Sequence, residues 1–146
     1  MIFGGRARAI RRLLIVEDEP LVAFDSEHFL SDVGYHVVAT VDRATLAVKV
    51  LKREPVDLVL ADVKLSAGSG LDVARVALEQ GVPVLFVTGT CPPGASDFAV
   101  GCLAKPYSHR GLKAAIEAVE NRLSGGRARR LPAGLVLYDR EGGAVA

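Results

Sequence analysis

The stretch Leu-Leu-Ile-Val-Glu-Asp-Glu-Pro, residues 13–20, decides the fold class. Its first four residues form a short, continuous apolar run, which is typical of a strand buried on both faces of a parallel sheet. Acidic residues follow at once, and Pro20 suits the first turn of a helix, where a missing N–H costs little. The stretch therefore predicts a strand, an acidic turn and a helix in immediate succession.

The same pattern recurs along the whole chain. Stretches of helical character alternate with the apolar runs, and they predict helices from Pro20 to about residue 33, from a cap at Asp42 to Arg53, and over residues 71–80. Strands that alternate with helices predict an α/β fold, with an open, doubly wound parallel sheet of five strands and helices on both faces. The further strands are expected at residues 35–40, 58–61, 84–87 and 100–104.

The last helix has the clearest signal. Ser108 is suited to cap it, because a serine hydroxyl accepts a hydrogen bond from a free N–H of the first turn. Four apolar residues then repeat at spacings of 4, 3 and 4 along one helix face, which predicts the side that packs on the sheet. These residues are Leu112, Ile116, Val119 and Leu123.

Between residues 88 and 100 the pattern is different. The sequence Cys-Pro-Pro-Gly at residues 91–94 breaks any regular element, so a fourth helix is expected to be short or mobile. From residue 124 the composition changes to Gly, Arg and Pro. We therefore predict a flexible basic N-terminal tail at 1–12, one domain at 13–123 and a Gly/Arg-rich C-terminal tail at 124–146.

Composition narrows the classes of function. The formal net charge of +1 gives no signal for direct nucleic-acid binding, and the arginines near both ends are interpreted as solvated tail residues. No apolar run approaches the roughly 20 residues that span a bilayer, so no membrane insertion is expected. Cys91 and Cys102 show neither a metal-ligand spacing nor a disulfide framework, which predicts a reducing cytoplasm, with Cys91 as an ordinary turn residue.

Polar side chains follow the predicted strands at their carboxyl ends. Glu17 and Asp18 follow the first strand, Asp62 the third, Thr88 the fourth and Lys105 the fifth. The carboxyl ends of parallel strands meet at one edge of a doubly wound sheet, so we expect these five side chains to lie together. Carboxylates so close together repel one another unless a cation lies among them.

The acidic group predicts a magnesium site. Hard oxygen ligands at this density suit Mg²⁺, which keeps several waters and accepts phosphate oxygens as further ligands. We expect Asp18, Asp62 and the backbone carbonyl of Lys64 to bind the ion, with Glu17 assisting through water.

The same edge predicts phosphoryl transfer. Asp62 is the candidate nucleophile and phosphoacceptor, because a carboxylate can form an aspartyl phosphate. Lys105 would neutralise charge on the transferring group. The Thr88 hydroxyl would bind a phosphoryl oxygen, and Gly89 leaves access open.

Four motifs follow one another along the chain: LLIVEDEP at 13–20, LVLADVKL at 58–65 with Gly70, PVLFVTG at 83–89 and LAKPY at 103–107. Together they resemble the bacterial receiver domain of response regulators, over about residues 13–123. The resemblance implies the flavodoxin-like strand order 2-1-3-4-5, Mg²⁺ dependence and a histidine kinase as phosphodonor. It also implies that the Asp62 phosphate draws in Thr88 and biases a two-state surface.

The chain departs from this family at the switch position. Receivers commonly carry Tyr or Phe three residues before the lysine, whereas this chain has Cys102 there. The sequence Phe-Val-Thr-Gly at 86–89 is similar to the Phe-Ala-Thr-Gly motif of an atypical receiver group, known for single-domain regulators of alphaproteobacterial general stress signalling. Lys64 and Thr90 flank the path of attacking water and are predicted to set the lifetime of the phosphoryl group.

The resulting prediction is a single-domain response regulator, with no activity beyond self-catalysed phosphotransfer to Asp62. Its expected partners are a histidine kinase and a downstream regulator or phosphotransfer protein, and it is expected to be a monomer or a phosphorylation-linked dimer. One alternative is a receiver-like adaptor that works without phosphorylation. The other is a phosphohydrolase with an aspartate nucleophile, although such enzymes usually need a second acid where this chain has Lys64.

Overall fold

The computed structural model describes residues 9–126, 130–139 and 144–145, and these residues form one mixed sheet covered by helices on both faces. The strand order is β2-β1-β3-β4-β5-β6-β7, and the first five strands are parallel. The predicted doubly wound α/β fold and its central order are thus confirmed. The strands are β1 (Arg12–Val16), β2 (His36–Val41), β3 (Leu58–Ala61), β4 (Val84–Thr88), β5 (Gly101–Ala104), β6 (Leu135–Tyr138) and β7 (Ala144–Val145).

Within the described part of the chain, four α-helices cover the sheet, two on each face. Side chains along β1 alternate between the faces: Leu13 and Ile15 pack with the residues of α1 and α4, whereas Leu14 and Val16 pack with those of α2 and α3. Because both faces are covered, the strands are continuously apolar. The helices are α1 (Pro20–Asp32), α2 (Ala44–Arg53), α3 (Gly70–Glu79) and α4 (His109–Leu123).

Between β4 and β5, where a short or mobile helix was predicted, the chain forms one 3₁₀ turn at Ala95–Asp97. The described helices include none that is long and apolar enough to cross a membrane. Two details of the helix predictions were wrong. Arg43, not Asp42, occupies the cap position of α2, because the Asp42 carboxylate accepts a hydrogen bond from the Arg43 guanidinium instead. Leu123 was predicted to lie on the face of the last helix that packs on the sheet, but it lies at the end of α4 and is 53% exposed.

The sheet has two more strands than the five predicted. β6 pairs antiparallel with β5, and β7 pairs with β6. Leu135 and Leu137 of β6 point into the core while Val136 stays partly exposed, which is the alternation of a strand with one covered face. Gly101 permits this pairing, since a Cβ there would lie 2.6 Å from the Val136 carbonyl oxygen. The interpretation of all of residues 124–146 as a tail was therefore wrong for residues 135–138.

The N-terminal boundary also lies earlier than residue 13. Ile10 is buried in the core, and its N–H donates to the Glu120 carboxylate over 2.8 Å. Arg12 begins β1 and forms an ion pair with Glu54. Arg6, Arg8, Arg127 and Arg129 lie outside the described residues, and their interpretation as tail residues stays a prediction.

The two cysteines form a disulfide bond, with 6.2 Å between the Cα atoms of Cys91 and Cys102. The expectation that they are unpaired was wrong, because the Pro-Pro-Gly turn after Cys91 brings residues that are eleven apart onto the same face of the sheet. Cysteine usage therefore no longer supports the prediction of a reducing compartment.

Candidate functional site

The carboxyl edge of the parallel strands carries a cluster of three acids. Glu17, Asp18 and Asp62 each offer a carboxylate oxygen, and these atoms lie within 4.8 Å of one another. Glu17 and Asp62 are almost fully buried, whereas Asp18 is partly exposed. The three acids that the sequence placed at this edge therefore do meet in space.

Lys105 lies at the centre of this cluster. Its Nζ is 2.7 Å from Glu17 Oε1, 2.8 Å from Asp62 Oδ2 and 3.0 Å from Glu19 Oε1. Glu19 was not among the predicted site residues, although it adjoins the predicted pair in the sequence Glu-Asp-Glu-Pro. Its position at the cap of α1 points it back toward the fifth strand.

Burial and charge act in opposite directions on these groups. Burial raises the pKa of Glu17, and the hydrogen bond from Lys105 opposes this effect. Burial lowers the pKa of Lys105, but its hydrogen bonds to Asp62, Glu17 and Glu19 outweigh that effect, so its pKa is raised overall. Lys105 is therefore a cation at neutral pH, held among several carboxylates.

The backbone around Asp62 fixes the direction of its side chain. The Asp62 N–H donates to the Val16 carbonyl oxygen over 2.9 Å, and the Lys64 N–H donates to Asp62 Oδ1 over 3.2 Å. Gly70 packs against the same peptide, because a Cβ there would lie only 2.2 Å from the Asp62 carbonyl oxygen. One carboxylate oxygen of Asp62 therefore faces Lys105 and the other faces the loop after β3.

Asp18 is held by Ser66, whose hydroxyl donates to Asp18 Oδ2 over 2.8 Å. The sequence suggested only a minor change in loop stiffness at Ser66, so this contact was missed. The sequence feature that could have indicated the contact is the serine itself, because receivers frequently have Pro at this position. The serine orients an acid that would otherwise be free to rotate.

The other side of the site is formed by the ends of β4 and β5. Thr88 is buried, and its carbonyl oxygen accepts a hydrogen bond from the Lys105 N–H over 2.8 Å. Gly89 and Thr90 are exposed, and a Cβ at Gly89 would meet nothing within 4 Å. Cys102 is fully buried by contrast.

The donor set of the acidic cluster fits a hard divalent cation. Three carboxylates offer oxygen atoms at close range, and Glu19 adds a fourth negative charge beside a single lysine. Mg²⁺ prefers such oxygen ligands and retains water in its remaining positions. The Lys64 side chain is exposed. Its roles in metal binding, through the backbone carbonyl, and in phosphoryl lifetime stay predictions.

Comparison with known proteins agrees with this geometry. Residues 13–117 match the family model of the response regulator receiver domain. The chain is 41% identical over 80 residues to the phyllosphere-induced regulator PhyR of Methylorubrum extorquens, covering 52% of this chain and 30% of PhyR. It spans less than two thirds of the length of the curated relatives that it matches first.

Solved structures show the same fold. A CheY-like response regulator receiver domain protein from Methanospirillum hungatei superposes with a TM-score of 0.69 at 25% identity, over 81% of this chain and 100% of that chain. The response regulator PhyR from Brucella abortus superposes with a TM-score of 0.68 at 27% identity, over 81% of this chain and 51% of that chain.

Proposed function

Because the chain belongs to the response regulator receiver domain family, we propose that it accepts a phosphoryl group from a histidine kinase on Asp62. The observation that carries this proposal is the position of Asp62, which is buried among acids with one oxygen 2.8 Å from Lys105 Nζ. Its other oxygen accepts a hydrogen bond from the Lys64 N–H, and the carboxylates of Glu17 and Asp18 lie beside it, so Asp62 is held in place next to both a cation and a candidate metal site. We further propose that the phosphorylated protein signals through protein–protein contacts or by phosphate relay.

In the proposed reaction Asp62 attacks phosphorus, a new P–O bond forms, and the P–N bond to the kinase imidazole breaks. Glu17, Asp18, Asp62 and the Lys64 carbonyl would hold Mg²⁺, which would neutralise charge on the phosphoryl oxygens. Lys105 supplies a fixed positive charge at the carboxylate oxygen that faces it.

Thr88 is the residue that would respond to the phosphoryl group. Its hydroxyl would donate to a phosphoryl oxygen, and because Thr88 is buried and directly precedes the exposed residues Gly89 and Thr90, this donation would move the segment that follows β4. Phosphorylation would therefore shift the surface formed by the ends of β4 and β5 between two states. The similarity of residues 86–89 to the Phe-Ala-Thr-Gly motif leads us to propose general stress signalling as the pathway.

The exposed face of α1 is the proposed contact for the kinase. Leu21 and Phe24 are 85% and 69% exposed, and α1 starts directly after the acidic residues of the site. Large exposed apolar residues beside a reactive centre mark a docking surface. Replacing both with Ala should slow transfer from the kinase at least about fivefold, on the scale of a few lost interface contacts, and leave the reaction with acetyl phosphate unchanged. Equal slowing of both reactions would contradict this assignment.

Intact-mass analysis tests the phosphoacceptor. After incubation with acetyl phosphate and Mg²⁺, the protein should gain about 80 Da, the mass of one phosphoryl group. Asp62→Asn should abolish the gain, and Asp72→Asn should retain it, because Asp72 is an exposed acid of α3 that forms an ion pair with Arg75, away from the acidic cluster. Loss of the gain in both variants, or in neither, would contradict the proposal.

The two alternatives predict different results. A phosphorylation-independent adaptor would bind its partner equally well as wild type and as Asp62→Asn. A phosphohydrolase would release phosphate repeatedly from small phosphate esters, whereas the proposed receiver shows negligible turnover of them. No acid stands two residues after Asp62, where Lys64 is instead, which favours the receiver.

A further inference from the structure

The disulfide bond joins two elements that both contribute to the site. Cys91 lies three residues after Thr88, and Cys102 lies in β5, three residues before Lys105. The bond therefore connects the segment that follows the hydroxyl residue to the strand that positions the lysine. No part of the proposed phosphoryl transfer uses it.

The bond is a principal attachment of this segment to the core. Pro92 and Pro93 have no N–H to donate, and the backbone hydrogen bonds of the following turn begin only at the Pro92 carbonyl, which accepts from Ala95. Residues 89–94 include no buried residue, and the residues that pack on the core next along the chain are Ala95, Phe98 and Ala99. The disulfide bond thus attaches to the core a segment that few side chains pack against.

We propose that the thiol–disulfide state of Cys91 and Cys102 controls phosphoryl acceptance at Asp62, an inference that rests on the proposed function. In the bonded state the segment of residues 89–94 is tied to β5, so Thr88 is held in its buried position. In the reduced state this segment is released, and Thr88 is free to move toward the phosphoryl group. The bonded protein is the slow acceptor and the reduced protein the fast one.

A dithiol can act as the reductant in the exchange reaction. A thiolate of the dithiol attacks the Sγ of Cys91, which is only half-buried, and the S–S bond breaks so that Cys102 leaves as a thiolate and takes up a proton. The second thiol of the reductant then attacks the mixed disulfide and releases Cys91 as a thiol. In the reverse direction a low-molecular-weight disulfide, such as glutathione disulfide, accepts the two electrons and is released as two thiols.

The test compares the rate of mass gain with acetyl phosphate and Mg²⁺ in both redox states. Wild-type protein is oxidised with glutathione disulfide or reduced with dithiothreitol, and alkylation of free thiols followed by intact mass verifies the state. The reduced form should react at least about fivefold faster, at the lower end of coupling between two sites. Cys91→Ser and Cys102→Ala should each react like the reduced form under both treatments.

Hydrogen–deuterium exchange supplies a second readout that does not depend on phosphorylation. Reduction should increase exchange in peptides covering residues 89–100 and leave those of β1 and β3 unchanged. Equal rates of phosphorylation in both states, unchanged exchange at residues 89–100, or failure of the two cysteines to form a bond would each overturn the inference while the proposed function stands. Absence of phosphorylation in both redox states, even with kinase, would instead overturn the proposed function.

Discussion

The two halves of the site are built in different ways. The acidic half, formed by the ends of β1 and β3, is held by close backbone packing and by hydrogen bonds to each carboxylate. The hydroxyl half, formed by the ends of β4 and β5, has open space beside Gly89, exposed residues after Thr88 and one covalent bond behind them.

This difference between the two halves matches what each must do in phosphoryl transfer. A nucleophile and its cation ligands must be positioned before the phosphodonor arrives, since precise placement supplies much of the catalysis of phosphoryl transfer. A group that responds to the phosphate must instead retain a second position. We therefore expect substitutions in the acidic half to lower stability, and substitutions at the exposed residues that follow β4, such as Gly89, to change stability little.

A matched pair of glycine substitutions gives the largest contrast. Gly70→Ala would place a Cβ 2.2 Å from the Asp62 carbonyl oxygen, so the backbone of the phosphoacceptor must shift. We expect it to lower the free energy of unfolding by about 3 kcal/mol, as severe overpacking does, and to reduce phosphorylation. Gly89→Ala meets nothing within 4 Å and should change stability by less than about 0.5 kcal/mol.

Urea unfolding of the two variants measures this contrast. Similar losses of stability for both variants would mean that the two halves are equally rigid, which would contradict the proposed difference between them.

The support of β5 from the sheet edge can be tested on β6. Leu137 is 1% exposed in the core, whereas Val136, its neighbour on the same strand, is 39% exposed. Leu137→Ala should lower the free energy of unfolding by about 2 kcal/mol or somewhat more, at the lower end for a buried leucine because a short strand near the edge of the sheet can relax. Val136→Ala should cost less than about 1 kcal/mol. Thermal or urea unfolding distinguishes this result from equal, small effects, which would mean that β6 does not stabilise the domain.

The smallest effect is expected at the rim of the site. The Lys64 side chain is exposed beside Asp62, while its backbone N–H orients the carboxylate. Lys64→Asn keeps the N–H and removes the long cationic side chain that would shield the phosphoryl group from water, so dephosphorylation should become about two- to fivefold faster, a fraction of what a fully positioned catalytic group supplies. Decay of the mass gain after removal of acetyl phosphate gives the rate. A rate equal to that of wild type would show that Lys64 does not set the lifetime.

The sequence predicted the central sheet because its strands are buried on both faces and so are continuously apolar. It placed Glu17, Asp18 and Asp62 together for a related reason: parallel topology alone brings the strand ends to one edge. Neither inference needed any side-chain geometry.

The features that were missed depend on longer-range contacts. The short apolar run at 135–138 was hidden by the surrounding Gly, Arg and Pro, and only its pairing with β5 makes it a strand. The disulfide depends on how the Pro-Pro-Gly turn folds back, which cysteine spacing does not encode. Glu19 and Ser66 were missed because each acts through a partner distant in sequence, Lys105 and Asp18 respectively.

The position of the phosphoryl group distinguishes Asp62 from every other acid as the phosphoacceptor. Reduction of the phosphorylated protein with borohydride converts an aspartyl phosphate to homoserine, and peptide mass mapping then locates the changed residue. Homoserine is expected at position 62 only, in wild type and in Asp72→Asn, and at no position in Asp62→Asn. Homoserine at Asp18 or at any other acid, or an unmodified Asp62 in protein that has gained a phosphoryl group, would contradict this assignment.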